Sequence, residues 1–250
     1  MDQFVSIIIW AAIFQGFFLG ILFITSKSSG SRSNKLLGLF LLTLVIEAIG
    51  SFLPYNDVAG YPLNGYFLIP ETKILFPLFF IHYVLEKLGV AQQYKRLLKV
   101  NYALALLVLC ITPLNLLMYL VTGTTIHDYF SEMTIEVIFL TQQTYGFILA
   151  IFGLIITIME TIKYQRLIKG NFSDMDLLAI NWLWWFILLL VPATLLWGAE
   201  LVRIFLGFYT GNFTSWDFVD ITWGVLTIFI YLVSYKAFKQ RDLYEHSLPD

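Results

Sequence analysis

The stretch EKLGVAQQYKRLLK, residues 86–99, sets Lys87, Lys95, Arg96 and Lys99 between two long apolar runs. Working outward, the same punctuation recurs as Lys27/Arg32/Lys35 before it, and as Lys163/Arg166/Lys169 and Lys236/Lys239/Arg241 after it. Of the 15 Lys and Arg residues, only Lys73 and Arg203 lie outside these clusters. Basic connections are retained on the cytoplasmic side of a membrane, which predicts all four clusters inside. A chain that leaves one such cluster and returns to the next crosses the bilayer an even number of times, and each gap has room for two crossings. One more apolar segment, from Phe4 to Thr25, precedes the first cluster. The pattern predicts an all-α polytopic membrane protein, a seven-transmembrane-helix bundle with its N-terminus outside and its C-terminus in the cytoplasm.

Composition agrees. Hydrophobic residues make up 59% and charged residues 13% of the chain, against about a quarter charged in soluble domains. The net charge of −2 sums a basic inside against predicted outer loops that bear Asp57, Asp128, Glu132, Asp217 and Asp220, so it implies no nucleic-acid surface. The single cysteine, Cys110, excludes an intramolecular disulfide and reads as a small packing residue. The first apolar segment lacks a basic n-region and a small-x-small cleavage site, and is read as a retained helix.

The crossings are predicted at about 4–25, 36–54, 64–86, 101–122, 135–159, 177–207 and 219–238, each near the ~20 residues a bilayer requires. Residues 1–240 form one membrane domain and 241–250 a cytoplasmic tail. In the third crossing, Pro70 is expected to begin the helix, with Glu71, Thr72 and Lys73 in its first turn, and Pro77 to kink it. Before the sixth, Ser173 and Asp176 fit a capping box. Trp182, Trp184 and Trp185 then follow as interfacial anchors. Gly16 and Gly20 fit either close packing within the chain or a dimer interface.

Ionisable groups inside hydrocarbon cost about 2.5–3.5 kcal/mol unless paired or hydrated, which makes them the best functional pointers. Glu47 is expected near the midplane, in need of a partner or a proton. Glu200 and Arg203 are three residues apart on one helix face. Together with Glu71, Lys73, Gln142 and Gln143 at similar depth, they define an outer polar cluster that reads either as a ligand pocket or as interhelical polar contacts. His82 is expected towards the inner end of helix three, where a packing role outweighs a proton switch. His127 and His246 lie in a loop and in the tail, so no metal site and no cofactor is expected. Neither H-E-x-x-H, G-x-S-x-G nor a P-loop is present, and no enzymatic activity is expected.

The segment YQRLIKGNFSDMDLLAINWLWW, Tyr164 to Trp185, resembles the basic loop, NFS cap and L-x-W-L helix start of a bacterial seven-helix sensor region. That region is fused to AraC-type helix-turn-helix regulators, and related regions precede histidine kinases or LytTR-type domains. YLVSYKAFKQRDLYEH, Tyr231 to His246, is similar to the junction that leads to the output domain, and FQGFFLGILFI (Phe14 to Ile24) and FFIHYVLEKL (Phe79 to Leu88) occupy matching places. The resemblance implies a sensor in the bacterial inner membrane that passes an extracytoplasmic or membrane-dissolved signal, from a small-molecule or lipid ligand, to a DNA-binding or kinase output domain. It further implies that Asn171, Ser173, Asp176, Trp182, Tyr235 and Lys236 transmit the signal, and that the chain dimerises if its output reads two half-sites. The sequence stops at Asp250, so the output is expected either in a longer chain or in a separate partner, and these 250 residues are not expected to touch nucleic acid themselves. A second reading is a small transporter or channel subunit with Glu47 as its protonatable group, and a third is a scaffold dimerised through helix one.

Overall fold

A computed structural model describes residues 3–25, 32–52, 57–58, 61–62, 71–171, 181–210 and 219–239. The long elements are α1 (Gln3–Thr25), α2 (Arg32–Phe52), α3 (Leu75–Lys87), α4 (Lys95–Leu109), α5 (Ile111–Thr122), α7 (Glu132–Asn171), α8 (Asn181–Thr210) and α9 (Val219–Lys239). A single helical turn, α6 (Ile126–Tyr129), joins α5 to α7, and a 3-10 turn at Ala91–Tyr94 leads into α4. Asp57–Val58 pairs antiparallel with Tyr61–Pro62. Five helical stretches, Ile7–Thr25, Arg32–Ser51, Ala91–Thr122, Glu132–Ile168 and Leu183–Gly207, are long and apolar enough to cross a membrane, and Ile221–Val233 is a shorter apolar helix. The chain is a helical membrane protein.

The helices close a ring. In order, α1 packs on α2, α2 on α3, α3 on α7, α7 on α8, α8 on α9, and α9 back on α1. A line of aromatic contacts fills its centre. Phe40 of α2 meets Phe80 of α3 and Phe229 of α9, each with ring centroids 5.5 Å apart. Phe186 of α8 meets Phe229 at 5.2 Å. Because lipid tails are as apolar as these side chains, close packing rather than water exclusion holds such helices together. The α4–α5 arm lies outside the ring against α3, and its Leu107 and Val121 are 69% and 75% exposed, as expected of a lipid-facing surface.

Through its first two turns, Leu75 to Ile81, helix α3 is apolar on every side, and a stretch of that kind belongs in an interior. Phe80, Tyr83 and Val84 face the ring centre, while Leu78, Ile81 and Leu85 pack against Leu98 and Ala105 of α4 and Leu149 of α7. Gly153 lets α7 approach closely, since a Cβ there would overlap the Ile81 side chain. Gly16 and Gly20 face Val45 and Leu42 of α2, and Gly16 also faces Ile230 of α9, so this small-residue stripe serves packing within the chain.

Contacts also set directions. Glu47 of α2 reaches Thr72 just before α3, whereas Arg32 at the start of α2 approaches Glu86 near the end of α3, so the two helices are antiparallel. On α7, Gly146 lies against Lys73, Gly153 against Ile81, and Glu160 bonds Tyr94 just before α4. Helices α3 and α7 are therefore parallel. The basic residues of α2, of residues 87–99 and of the last turns of α7 collect at one end of the bundle, called here the basic end.

Several boundaries differ from expectation. Helix α3 begins at Leu75, after Glu71 to Ile74, which are not helical, so Glu71, Thr72 and Lys73 are not in its first turn; the expected stretch 64–70, with Pro70, lies outside the described residues. Pro77 is the third helical residue, a position whose N–H has no intrahelical partner, so it marks the start of α3 instead of kinking it. The fourth crossing starts in the basic cluster and breaks at Cys110, ahead of Pro113. The third basic cluster, expected in a loop, continues α7 to a length of 40 residues, about 60 Å at 1.5 Å per residue. The expected Ser173–Asp176 cap lies outside the described residues.

Candidate functional site

The non-helical turn before α3 creates the main polar site. Outside a helix, the Thr72 N–H has no ladder partner, and it donates to Glu47 Oε1 at 2.9 Å. The Thr72 hydroxyl donates to the same oxygen at 2.7 Å. Lys73 Nζ lies 3.3 Å from Glu47 Oε2 and 3.1 Å from Glu71 Oε2. One ammonium thus holds two carboxylates, and both oxygens of Glu47 are engaged. Glu47 is not an isolated midplane group. Helix α2 starts at Arg32, four residues before the expected position 36, so Glu47 stands about 22 Å along it at 1.5 Å per residue, where the 71–74 turn reaches it.

Helix α7 supplies the facing wall. Phe139, Gln142, Gln143 and Gly146 recur at helical spacing on one side. Lys73 Nζ sits 5.2 Å from the centroid of the Phe139 ring, within cation–π range. Gly146 is required opposite the Lys73 carbonyl, because a Cβ there would stand 2.7 Å from that oxygen. Trp197 of α8 packs on Phe76 and Phe147, and its Nε1 donates to Gln143 Oε1 at 3.2 Å. Gln142 is buried beside it, and its Oε1 has no hydrogen-bond partner among the described residues. Buried side-chain acceptors without a partner are uncommon in folded proteins.

One turn beyond Trp197, Arg203 Nε donates to Glu200 Oε2 at 2.9 Å, the local pair expected from their spacing. The expected outer cluster is therefore a seam across α2, the 71–74 turn, α7 and α8. Glu71, Lys73 and Gln143 lie within it, Gln142 lies on the same α7 face, and Glu200 and Arg203 pair with each other further along α8 from Trp197. Thr72 and Trp197 were missed by sequence reasoning. Threonine carries no distinguishing pattern, and Trp197 reads as one more apolar helix residue.

At the basic end, His82 is buried, and its Nδ1 lies 2.9 Å from the Tyr102 hydroxyl. Its Nε2 is 3.8 Å from Glu86 Oε2, one helical turn on. The packing role anticipated for His82 thus comes with a named partner on α4, Tyr102. Nearby, the Tyr94 hydroxyl and Lys163 Nζ both donate to Glu160 Oε1, tying α7 to the start of α4. Of the anticipated signal-transmitting residues, Asn171 ends α7, Trp182 lies in the first turn of α8, and Tyr235 and Lys236 lie in the last turns of α9. Their side chains, together with Ser173 and Asp176, lie outside the described residues. Comparison with protein-family models, with curated proteins and with solved structures finds no match to this chain.

Proposed function

We propose that the chain is a seven-span sensor module of a bacterial inner membrane, with the basic end in the cytoplasm and the Glu47–Glu71–Lys73 seam towards the outside. The seven passes are α1, α2, α3, the α4–α5 arm, α7, α8 and α9. Gathering of three basic clusters at one end supports this orientation. A small polar ligand, from the extracytoplasmic side or dissolved in the membrane, would engage the seam, with Gln142 Oε1 accepting a hydrogen bond from it.

The observation that carries the reading is the placement of α3. It is buried on all sides, its first residues follow directly on the Glu47–Lys73 network, and its last turns carry His82 and Glu86 at the basic end. Repairing charges at one end biases the position of a rigid, packed element whose other end faces the cytoplasm. A ligand drives that change only by preferring one arrangement, since equal affinity shifts nothing. The output partner, an AraC-type DNA-binding domain or a kinase in cis or in trans, would read the change at the basic end, as the family resemblance implies.

A ligand-free experiment tests the coupling. In a Cys110→Ser background, Gln93→Cys, at an exposed position in the turn that follows α3, is labelled with a water-soluble maleimide, with and without Glu71→Gln or Lys73→Met. The expected result is a changed labelling rate at the basic end; folded variants with unchanged rates would refute transmission through α3. The transporter reading is less well supported, because both carboxylate oxygens of Glu47 are already engaged within the protein, by the Lys73 ammonium and by the Thr72 N–H and hydroxyl. Solute flux into proteoliposomes abolished by Glu47→Gln would reverse that preference.

A further inference from the structure

Helix α4 begins inside the basic cluster, and Lys95 and Lys99, four residues apart, share one of its faces. Both line a cavity of about 380 Å³ at the basic end, together with Arg32 of α2, His82 and Glu86 of α3, and Tyr102. Its fixed charges are three cations against one carboxylate. Glu86 is already shared between Arg32, at 3.9 Å, and His82, at 3.8 Å. Among the described residues, neither Lys95 nor Lys99 has a salt-bridge partner. Both lysines are exposed to solvent, so an anion seated in the cavity would meet two cations that no carboxylate among the described residues already holds. Further along the same face, Leu106 is 59% exposed, so the surface passes from cationic to apolar within three turns.

We propose that this cavity binds an anionic phosphate group, with Lys95 and Lys99 as its charge partners and Arg32 as a third cation on its wall. Basic pockets between membrane helices on the cytoplasmic side suit phospholipid headgroups, whose acyl chains would continue along the apolar face of α4. A soluble phosphate compound offers the same chemistry without the chains. The proposal stands apart from the sensor reading, since it uses neither the Glu47–Lys73 seam nor any output domain.

The test takes the full chain in nanodiscs of phosphatidylcholine containing a minority of phosphatidylglycerol, with retained lipid counted by native mass spectrometry. Each lysine near a membrane surface contributes about a fivefold preference for anionic lipid, so Lys95→Gln/Lys99→Gln is expected to weaken retention about thirtyfold. Arg96→Gln, an exposed cation of the same helix outside the cavity, is expected to retain lipid like the unaltered chain. Lys95→Arg/Lys99→Arg keeps the charge and is expected to bind, which separates lost binding from lost folding. In lipid-free detergent, inorganic pyrophosphate then distinguishes the sources. A thermal shift that needs Lys95 and Lys99, without selective lipid retention, assigns the site to a soluble phosphate. Equal retention by Lys95→Gln/Lys99→Gln and Arg96→Gln with no pyrophosphate shift would overturn the proposal.

Discussion

Replacing Lys73 by Met removes the one ammonium that separates two carboxylates. At 3.3 Å, an ion pair in surroundings of effective dielectric about 20 is attracted by about 5 kcal/mol before desolvation is subtracted. Glu47, Glu71 and Lys73 keep side-chain exposures of only 12%, 20% and 23%, so water compensates little. Removing one partner of such a pair typically costs about 3–5 kcal/mol, because the other is left as an unpaired buried charge. Lys73→Met is therefore expected to destabilise the protein by about 3 kcal/mol. Glu47→Gln is expected to cost about 1.5–3 kcal/mol, from charge-assisted bonds weakened at Thr72; Glu71 still holds the ammonium. The decisive quantity is the double variant. With Lys73 gone, neutralising Glu47 relieves repulsion, so Glu47→Gln/Lys73→Met is expected to be more stable than Lys73→Met alone by about 1 kcal/mol. Equilibrium unfolding in mixed micelles, arranged as a double-mutant cycle, measures this directly. If Glu47→Gln cost the same with and without Lys73, the two groups would be energetically independent and the seam would not act as one network.

Gly153→Ala is expected to cost about 1–3 kcal/mol by overpacking against Ile81, and adding Ile81→Ala should recover part of that loss in the same unfolding assay. Trp197→Phe removes the donor to Gln143 Oε1 and is expected to cost about 0.6–1.7 kcal/mol, the range of interhelical hydrogen bonds in membranes; a loss below detection would assign Trp197 to packing alone. Gln142→Met removes a buried acceptor that lacks a partner and should leave stability unchanged or higher while lowering the response of a fused reporter to its stimulus. Arg203→Gln is expected to alter that response without loss of membrane insertion, as immunoblotting of membrane fractions would check; an unchanged response would remove the Glu200/Arg203 pair from the site.

Much of the candidate site could be named from composition alone, because an ionisable residue in an apolar run is conspicuous. Glu47, Glu71, Lys73, Glu200 and Arg203 stood out for that reason. Their partners did not. The Glu47–Thr72 contact joins residues 25 apart in the chain, and no local pattern signals that a turn before α3 will meet the penultimate turn of α2. Pro77 was expected to kink helix three because a proline inside an apolar run reads as interior, whereas it lies in the first turn of α3, where the missing N–H costs little; nothing local in the sequence separates the two cases. The basic stretch after residue 160 was expected as a loop, since polarity at a membrane boundary looks the same in a loop and in a helix that projects beyond the bilayer.

The sequence by itself determined that this protein is helical and lives in a membrane, because apolar runs of bilayer length have few other ways to satisfy their backbone groups. It also determined where the basic connections fall, since charge is local and countable. Only the tertiary structure decided that α3 is enclosed by α2, α4 and α7, that α3 and α7 run parallel, and that Glu47 belongs with Lys73. Lys95 and Lys99 became part of a cavity on the same terms. Those facts depend on which apolar faces meet, and hydropathy does not specify a partner; side-chain shape, a glycine at a crossing and a single ammonium between two carboxylates do.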